Sequence, residues 1–313
     1  MVVSNKQKVI LIGDGAVGSA YAFALVNQGI GHELGIIDVD TARTEGDALD
    51  LRHALPFLPP KKIYSASYTD CADADLICIT AGTAQKPGET RLDLVSRNLS
   101  ILKTIVDAVM ATGFKGIFLI ASNPVDILTY ATLKWSGLPS EQVIGSGTSL
   151  DTARLRQTLA EKINVEAGSV HGYVLGEHGD TGFIAWSNIR IGNLPIEKWL
   201  PDFTDEAKEE FRIAVRDAAY SIIAKKGSTS YGVASALARI TRAVFNNENA
   251  VLPVSAYMDG SHYGISDIYL GTPAVIGRSG ISLVAEVPLN RKEQEEMEHS
   301  AATLKAILKD SIV

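Results

Sequence analysis

Short apolar runs alternate with longer amphipathic segments through the first 150 residues of the chain. Apolar runs that are bounded by glycine, proline or charged residues are typical of strands buried in a parallel sheet. Apolar positions three and four residues apart are typical of helices. The pattern predicts strands at 8–12, 34–38, 76–80, 116–121 and 142–144, and helices at 16–29, 44–55, 91–112 and 125–135. This alternation predicts an α/β fold with a doubly wound parallel sheet.

The second half of the chain has a less regular pattern. Helices are predicted at 150–163, 205–225 and 290–311, and short strands, expected to be antiparallel, at 251–254, 268–270 and 275–276. We therefore expect a nucleotide-binding domain of the Rossmann type at 1–146, followed by an α+β substrate domain at 147–313.

A glycine-rich turn follows the first predicted strand. Gly13, Gly15 and Gly18 fit the spacing G-x-G-x-x-G, in which the glycines permit a tight turn, the approach of a pyrophosphate and close packing of helix on strand. Asp38 ends the second predicted strand, where a carboxylate can accept both hydroxyls of an adenosine ribose and would repel a 2′-phosphate. The sequence therefore predicts a site for NAD rather than NADP. The alternative is a structural turn, with Asp38 capping the next helix at residue 41 or 42.

Composition narrows the classes of partner. The chain has 29 basic and 36 acidic residues and a net charge of −7, which argues against a nucleic-acid surface. Cys71 and Cys78 lack metal-ligand spacing and are expected to be buried free thiols, so no metal site is predicted. Neither an apolar stretch of about 20 residues nor an N-terminal signal segment is present, so we expect a cytoplasmic protein that does not enter membranes.

Three side chains with matched chemistry lie in the second half. Asp151 and Arg154 are three residues apart on a predicted helix, and His178 follows in a glycine-rich segment. An arginine can clamp a planar carboxylate, a histidine can protonate a ketone oxygen near neutral pH, and an aspartate can orient that histidine. With hydride from a nicotinamide, this set could reduce a 2-keto acid. The alternatives are a surface ion pair and a solvated loop histidine.

A polar loop at 81–91 leaves the strand predicted at 76–80, at the end where open α/β sheets bind ligands. Its length and polarity suit a lid that excludes water from the reacting atoms. Arg91 could then polarise the ketone, or it could be a solvated arginine at a helix start.

Five motifs, in this order along the chain, resemble the L-lactate dehydrogenase branch of the lactate/malate dehydrogenase family. They are Gly-Asp-Gly-Ala-Val-Gly, Gln-Lys-Pro-Gly-Glu-Thr-Arg, Ser-Asn-Pro-Val-Asp, Asp-Thr-Ala-Arg and Gly-Glu-His-Gly-Asp-Thr. The resemblance covers nearly the whole chain from about residue 8. It implies reversible reduction of pyruvate to L-lactate with NADH.

The resemblance also implies roles for single residues. His178 would be the proton donor and acceptor, Asp151 its partner, and Arg154 the clamp for the substrate carboxylate. Arg91 would act from the lid. Asn123 would hydrogen-bond nicotinamide or substrate, and Thr229 would line the substrate pocket. Weaker matches along the NAD site are Val17, Arg43, Tyr68, Gly82, Thr83, Thr104, Ala121, Ser122 and Ser146.

Gln85 distinguishes two activities of the family. The malate enzymes carry arginine at this place to pair with a second carboxylate, whereas a neutral amide suits the methyl group of pyruvate. Lys86 could compensate for the missing cation, so a malate or other 2-hydroxy-acid dehydrogenase stays an alternative. A non-catalytic NAD-binding scaffold is a further one, but it would have no need of the Arg91, Asp151, Arg154 and His178 set.

Two further positions suggest regulation. Bacterial relatives that fructose 1,6-bisphosphate activates carry an arginine and a histidine at the places of Arg156 and His171. The resemblance implies that two subunits of a homotetramer pool these cations to bind the sugar phosphates. The alternative is a solvated arginine and a strand-end histidine.

Overall fold

The parallel sheet predicted from the apolar runs is present in the computed structural model, which describes residues 6–83 and 91–311 apart from the side chains of 91, 92 and 310. Its strands are β1 (Lys8–Ile12), β2 (Glu33–Ile37), β3 (Lys62–Ser65), β4 (Leu76–Ile79), β5 (Ile117–Ile120) and β6 (Val143–Gly145). They lie side by side in the order β3-β2-β1-β4-β5-β6, all parallel. The strand order reverses between β1 and β4, and ligands of open α/β sheets bind at such a point.

Helices connect these strands: α1 (Ala16–Asn27), α2 (Thr41–Ala54), α3 (Arg91–Met110), α4 (Val125–Ser136) and α5 (Ser149–Ile163). Every residue of β1, β4 and β5 is buried, which explains their uninterrupted apolar sequence. The pattern missed β3, because this short strand at the end of the parallel order is only partly buried. It also began α2 three residues late, since Asp40 caps the helix by accepting a hydrogen bond from the backbone N–H of Arg43.

The second half contributes a long antiparallel meander to the same sheet. Its strands are β12 (Ala250–His262), β13 (Ile265–Gly277) and β14 (Gly280–Val284), and β12 joins β6 where Ser255 lies opposite Gly145. The strand predicted at 251–254 is the start of β12, those predicted at 268–270 and 275–276 are both parts of β13, and β14 was not predicted. Exposed polar residues and a bulge near Asp259 interrupt the pattern of β12 and β13. The division predicted at residue 146 stays a prediction, and the sheet continues across it.

The short strands β7 (Val170–His171), β8 (Val174–Leu175), β9 (Phe183–Ile184), β10 (Arg190–Ile191) and β11 (Leu194–Pro195) form two small sheets. Beside them lie α6 (Asp205–Lys226), α7 (Tyr231–Phe245) and α8 (Arg291–Ser311). The pattern missed α7, which packs on α1 and joins it through a buried hydrogen bond between the hydroxyls of Tyr21 and Thr241, 2.7 Å apart. A second apolar core lies between α5 and α6 and includes Leu155, Leu159 and Phe211.

None of the helices in the described part of the chain is both long and apolar enough to cross a membrane. Cys71 and Cys78 are buried free thiols, as predicted.

Candidate functional site

The turn between β1 and α1 depends on two of its three glycines. Gly13 has φ +103°, and a Cβ atom there would lie 2.4 Å from the backbone nitrogen of Ala81. A Cβ on Gly18 would lie 1.9 Å from the carbonyl oxygen of Gly13. A Cβ on Gly15 would meet nothing within 4 Å. Gly13 and Gly18 therefore keep the helix against the strand, while Gly15 leaves open space above the turn.

Asp38 lies directly after β2 and stabilises this turn through hydrogen bonds to the main chain. Its Oδ2 accepts a hydrogen bond of 2.6 Å from the backbone N–H of Asp14, and its Oδ1 accepts one of 3.0 Å from that of Asp40. Asp40 caps α2, so the alternative in which Asp38 caps that helix does not hold. No side chain caps the first turn of α1. The cofactor turn (Gly13, Gly15, Gly18 and Asp38) thus combines free helix N–H groups, open space and a carboxylate, which fits a dinucleotide with an unphosphorylated ribose.

Asp14, in the same turn, is a buried acid to which sequence reasoning gave no role. It is 0% exposed, and neither carboxylate oxygen has a hydrogen-bond partner among the described residues. Burial, followed by the nearby carboxylate of Asp47, raises the pKa of Asp14 to about 7. The only sequence signal was an acid between two glycines.

Several predicted cofactor residues lie at the carboxyl ends of the parallel strands. Gly82 and Thr83 follow β4, while Ala121, Ser122 and Asn123 follow β5, and Ser146 follows β6. The Ser122 hydroxyl donates a hydrogen bond of 2.5 Å to the carbonyl of Ala81, which ties two of these strand ends together. The strand order therefore brings these residues to one edge of the sheet.

The other predicted cofactor residues are more scattered. Val17 lies in the first turn of α1, Arg43 is exposed in the first turn of α2, and Tyr68 is half-buried after β3. Thr104 is exposed on α3, where its hydroxyl donates to the carbonyl of Ser100. This hydrogen bond lies within α3 and does not join Thr104 to the residues at the sheet edge.

Asn98 is a structural link that sequence reasoning missed. This side chain on α3 is 3% exposed, and its Oδ1 accepts a hydrogen bond of 3.0 Å from the backbone N–H of Thr83. Its Nδ2 donates to the carbonyl of Asn123 at 2.8 Å. Asn98 therefore fixes the start of the polar loop to the residue predicted to bind nicotinamide or substrate. An asparagine inside an amphipathic helix gave no signal of this role.

Asp151 contacts both of its predicted partners. Its Oδ2 lies 2.5 Å from Nδ1 of His178, and its Oδ1 accepts a hydrogen bond of 3.1 Å from Nη1 of Arg154. The helical spacing of three residues places Asp151 and Arg154 on one face of α5. The side chains of Asp151, Arg154 and His178 are 16%, 14% and 25% exposed, so the surface ion pair and the solvated histidine are both wrong.

Two more residues, Asp126 and Ser255, fix the main chain of His178 through hydrogen bonds. Asp126, near the start of α4, accepts a hydrogen bond of 2.8 Å from the backbone N–H of His178. The hydroxyl of Ser255 on β12 donates to the other oxygen of Asp126. Sequence reasoning gave neither residue a role, although Asp126 ends the Ser-Asn-Pro-Val-Asp motif. We call Asp126, Asp151, Arg154, His178 and Ser255 the histidine cluster.

The charges of the histidine cluster favour the imidazolium form. The carboxylate of Asp151 is the main cause that raises the pKa of His178 to about 9, and Asp126 adds to the effect. His178 and Arg154 together hold the pKa of Asp151 below its usual value, although burial opposes this. His178 is therefore protonated at neutral pH and can donate a proton from Nε2, because Nδ1 points at Asp151.

The three chemically matched side chains line one cavity. It has a volume of about 220 Å³ and extends from Asp151, Arg154 and His178 to Arg212 and Tyr220 on α6. Sites for drug-sized ligands occupy roughly 300–1,000 Å³, so this cavity suits a small acid. Thr229 lies half-buried between α6 and α7, outside the lining of this cavity as described. Gln85, Lys86 and the side chain of Arg91 lie outside the described residues.

The two predicted effector residues lie on neighbouring elements. Arg156, on α5, donates from Nε to the carbonyl of Gly172 at 3.3 Å, and its guanidinium lies 5.5 Å from the ring centre of Tyr173. His171 is the exposed end of β7, immediately before Gly172, and it pairs across the small sheet with the exposed Arg190. Residues 156 and 171 thus belong to one patch of the surface.

Comparison with known proteins gives consistent matches along the chain. The model of the lactate/malate dehydrogenase NAD binding domain matches residues 7–145, and that of the lactate/malate dehydrogenase alpha/beta C-terminal domain matches residues 148–312. L-lactate dehydrogenase 1 of Listeria monocytogenes is 64% identical over 310 residues, which are 99% of each chain. The L-lactate dehydrogenase of Lacticaseibacillus casei is 60% identical over 98% of this chain and 95% of its own.

Solved structures agree with these matches. A lactate dehydrogenase from a Medee basin deep-sea metagenome library has a TM-score of 0.95 at 46% identity and covers 98% of this chain and 99% of its own. The minor L-lactate dehydrogenase of Enterococcus mundtii, in its ligands-bound form, has a TM-score of 0.95 at 43% identity, with the same coverage.

Proposed function

The chain belongs to the lactate/malate dehydrogenase family, and on that premise we propose that it is an L-lactate dehydrogenase, which reduces pyruvate reversibly to L-lactate with NADH. One observation carries this proposal: Asp151 holds His178 with one oxygen and Arg154 with the other, at the edge of a single small cavity. A proton donor and a carboxylate clamp are thereby fixed relative to each other, as reduction of a 2-keto acid requires.

The residues of the cofactor turn fit NAD. Free N–H groups at the start of α1 would bind the pyrophosphate above Gly15, and Asp38 would accept the ribose hydroxyls while repelling the phosphate of NADP. Asn123, at the end of β5, is the candidate for contact with nicotinamide. When bound, NADH supplies a hydride to the ketone carbon.

The histidine cluster performs the proton chemistry. His178 is protonated at neutral pH and gives the proton on Nε2 to the developing alkoxide, while Asp151 stabilises the imidazolium and fixes Nδ1. Arg154 binds the substrate carboxylate through the N–H groups that Asp151 leaves available. In the reverse direction, neutral His178 accepts the proton of the hydroxyl group, so lactate oxidation is favoured at higher pH.

Specificity for pyruvate is assigned to the polar loop and its surroundings. Gln85 would face the methyl group and Arg91 the ketone oxygen. The names of the relatives from Listeria and Lacticaseibacillus support lactate over malate. A neutral amide at residue 85 supports it independently, because a buried second carboxylate would lack a cation.

The test is an assay of NADH oxidation with pyruvate, oxaloacetate and a branched 2-keto acid side by side. We expect kcat/KM to be highest for pyruvate, and Gln85→Arg to shift the preference towards oxaloacetate. Higher kcat/KM for oxaloacetate in the unmodified protein would identify a malate enzyme. The scaffold alternative requires that none of the three acids is reduced while NADH still binds.

We further propose that the enzyme is a homotetramer that fructose 1,6-bisphosphate activates. Arg156 and His171 lie on one patch, and His171 faces the additional cation of Arg190 across two paired strands. Anionic phosphates would offset the repulsion between such patches on two subunits. Exposed apolar side chains on α6, among them Tyr220 and Ile223 at 65% and 46%, support association.

Activation is tested by the pyruvate dependence of the rate and by sedimentation, with and without the bisphosphate. We expect the effector to lower the half-saturating pyruvate concentration and to favour the tetramer. Arg156→Ala should abolish both responses while leaving the rate at saturating pyruvate nearly unchanged. Arg291→Ala, on an exposed arginine paired with Glu295, is the control and should respond like the unmodified protein. A response that survives in Arg156→Ala would place the effector elsewhere.

We also propose that the enzyme works in the cytoplasm. Two buried free thiols support a reducing compartment. Fractionation of cells that express the protein, with lactate dehydrogenase activity as the marker, would test this.

A further inference from the structure

A second carboxylate lies behind His178, on the main-chain side of the residue. Asp126 is the second residue of α4 and is 2% exposed. Its Oδ2 accepts the 2.8 Å hydrogen bond from the backbone N–H of His178, and its Oδ1 accepts one of 2.5 Å from the hydroxyl of Ser255. Both oxygens are used, and both partners lie far from Asp126 in the sequence. This carboxylate therefore joins three separate elements at one point.

The anchor of this arrangement is β12, an interior strand of the nine-stranded sheet. Ser255 is fully buried on β12, opposite Gly145 of β6. The chain around His178 is glycine-rich, and Gly176, two residues earlier, has φ +84°. Such a segment depends on external hydrogen bonds for a single conformation, because glycine restricts the backbone least. The bond from Asp126 supplies this restraint at the histidine itself.

We propose that Asp126 is a positioning residue for His178: it fixes the main chain of the histidine to β12 and so holds the imidazole against Asp151. The inference rests on the proposed function, in which His178 transfers the proton. Without the bond to Asp126, the backbone at 178 could move while Asp151 stayed on α5. The Nδ1 contact of 2.5 Å and the aim of Nε2 would then be lost together.

The charge of Asp126 acts in the same direction. Burial raises the pKa of Asp126 to about 6, while the Ser255 hydroxyl and the His178 N–H oppose this rise. Asp126 is therefore ionised at neutral pH, and its charge stabilises the imidazolium of His178. Asp151 stabilises the imidazolium more strongly, whereas the positive charge of Arg154 destabilises it. The charge of the neighbouring Glu177 also raises the pKa of Asp126. Removing the charge at 126 should lower the pKa of His178.

The experiment separates charge from position. Asp126→Asn removes the charge but keeps an oxygen that can accept the His178 N–H, whereas Ser255→Ala keeps the charge but removes the anchor. The control is Ser187→Ala, because the exposed Ser187 also donates its hydroxyl to a buried carboxylate, that of Glu293, and does not line the cavity. For each folded variant, kcat, KM for pyruvate, the affinity for NADH and the pH dependence of pyruvate reduction are measured.

We expect Asp126→Asn to move the alkaline limb of pyruvate reduction about one pH unit lower, because the imidazolium loses a neighbouring charge. Ser255→Ala should lower kcat about tenfold but leave the alkaline limb of the pH profile nearly unchanged, since His178 is displaced while its pKa is kept. NADH affinity should change less than about twofold in both, because neither residue lies at the cofactor turn. Ser187→Ala also loses a hydrogen bond to a buried carboxylate but should keep its kcat, because Ser187 does not contact the histidine cluster.

Two results would overturn the inference. One is a Ser255→Ala protein that folds and keeps the kcat of the unmodified protein, because the anchor would then not position His178. The other is a Ser187→Ala protein that loses as much kcat as Ser255→Ala, which would indicate a general effect of stability. If the unmodified protein reduces no keto acid, the proposed function fails separately. An NMR titration of the His178 ring protons then still tests whether Asp126→Asn lowers its pKa.

Discussion

The cofactor turn and the histidine cluster differ in what holds them in place. In the cofactor turn, Gly13, Gly18 and Asp38 come from one strand–helix–strand unit, and backbone geometry does most of the positioning. In the histidine cluster, polar side chains from α4, α5, β12 and the loop after β8 meet through hydrogen bonds. Added atoms should therefore disrupt the cofactor turn, whereas removal of a polar group should disrupt the histidine cluster.

This difference has a functional reason. A dinucleotide is bound by steric fit and by N–H groups that every chain possesses, so glycine spacing is enough to define its site. Proton transfer needs a titratable group with a tuned pKa, and tuning requires charges at fixed distances. The pKa of His178, raised to about 9, depends on carboxylates at 151 and 126 that only the tertiary structure brings together.

His178→Ala should show the largest difference between its effect on the histidine cluster and its effect on the cofactor turn. We expect kcat for pyruvate reduction to fall by at least about a thousandfold, because the proton donor is lost. The affinity for NADH, measured by fluorescence titration, should stay within about twofold, since the cofactor turn does not include residue 178. Near-normal turnover would remove His178 from the chemistry.

Arg154→Lys should have the next largest effect. A lysine keeps the positive charge but cannot bind a carboxylate through two parallel N–H groups. We expect KM for pyruvate to rise by about a hundredfold, with NADH affinity unchanged, as steady-state kinetics can measure. An unaltered KM would mean that the substrate carboxylate binds elsewhere.

Gly18→Ala and Gly15→Ala test the steric half of the comparison. A methyl group at 18 would overlap the carbonyl of Gly13, so we expect a loss of about 1–3 kcal/mol in unfolding free energy. A methyl group at 15 meets only open space, so stability should stay unchanged while NADH affinity falls roughly tenfold. Chemical denaturation and NADH titration measure both quantities. Equal stability of the two variants would contradict the packing role of Gly18.

Asp14→Asn should give a smaller effect that depends on pH. The pKa of Asp14 is raised from 3.8 to about 7, so its ionisation destabilises the folded chain progressively as the pH rises through this interval. The variant should therefore gain about 2 kcal/mol relative to the unmodified protein between pH 5 and pH 8, with denaturation at both pH values as the measurement. A constant difference would show that Asp14 does not titrate in this range.

The sequence was most informative where the determinants are local. The parallel strands follow from uninterrupted apolar runs, and the cofactor turn follows from glycines that a single strand–turn–helix unit requires. Asp151 and Arg154 could be paired from helical spacing, whereas their link to His178 was inferred from matched chemistry and from the resemblance, with no local geometric signal. The roles of Asn98, Asp126 and Ser255 could not be predicted, because each depends on contacts between distant segments. The long strands β12 and β13 were underestimated for a related reason, since their polar residues interrupt the apolar pattern.

The pairing of Ser255 with Gly145 has a consequence for how the protein acquires its activity. These residues are 110 positions apart, and closing so large a loop is slow compared with forming the local strand–helix units. On dilution from urea, we therefore expect helical circular dichroism to recover before enzymatic turnover. The parallel half would assemble first, and proton transfer would begin only once the meander had docked.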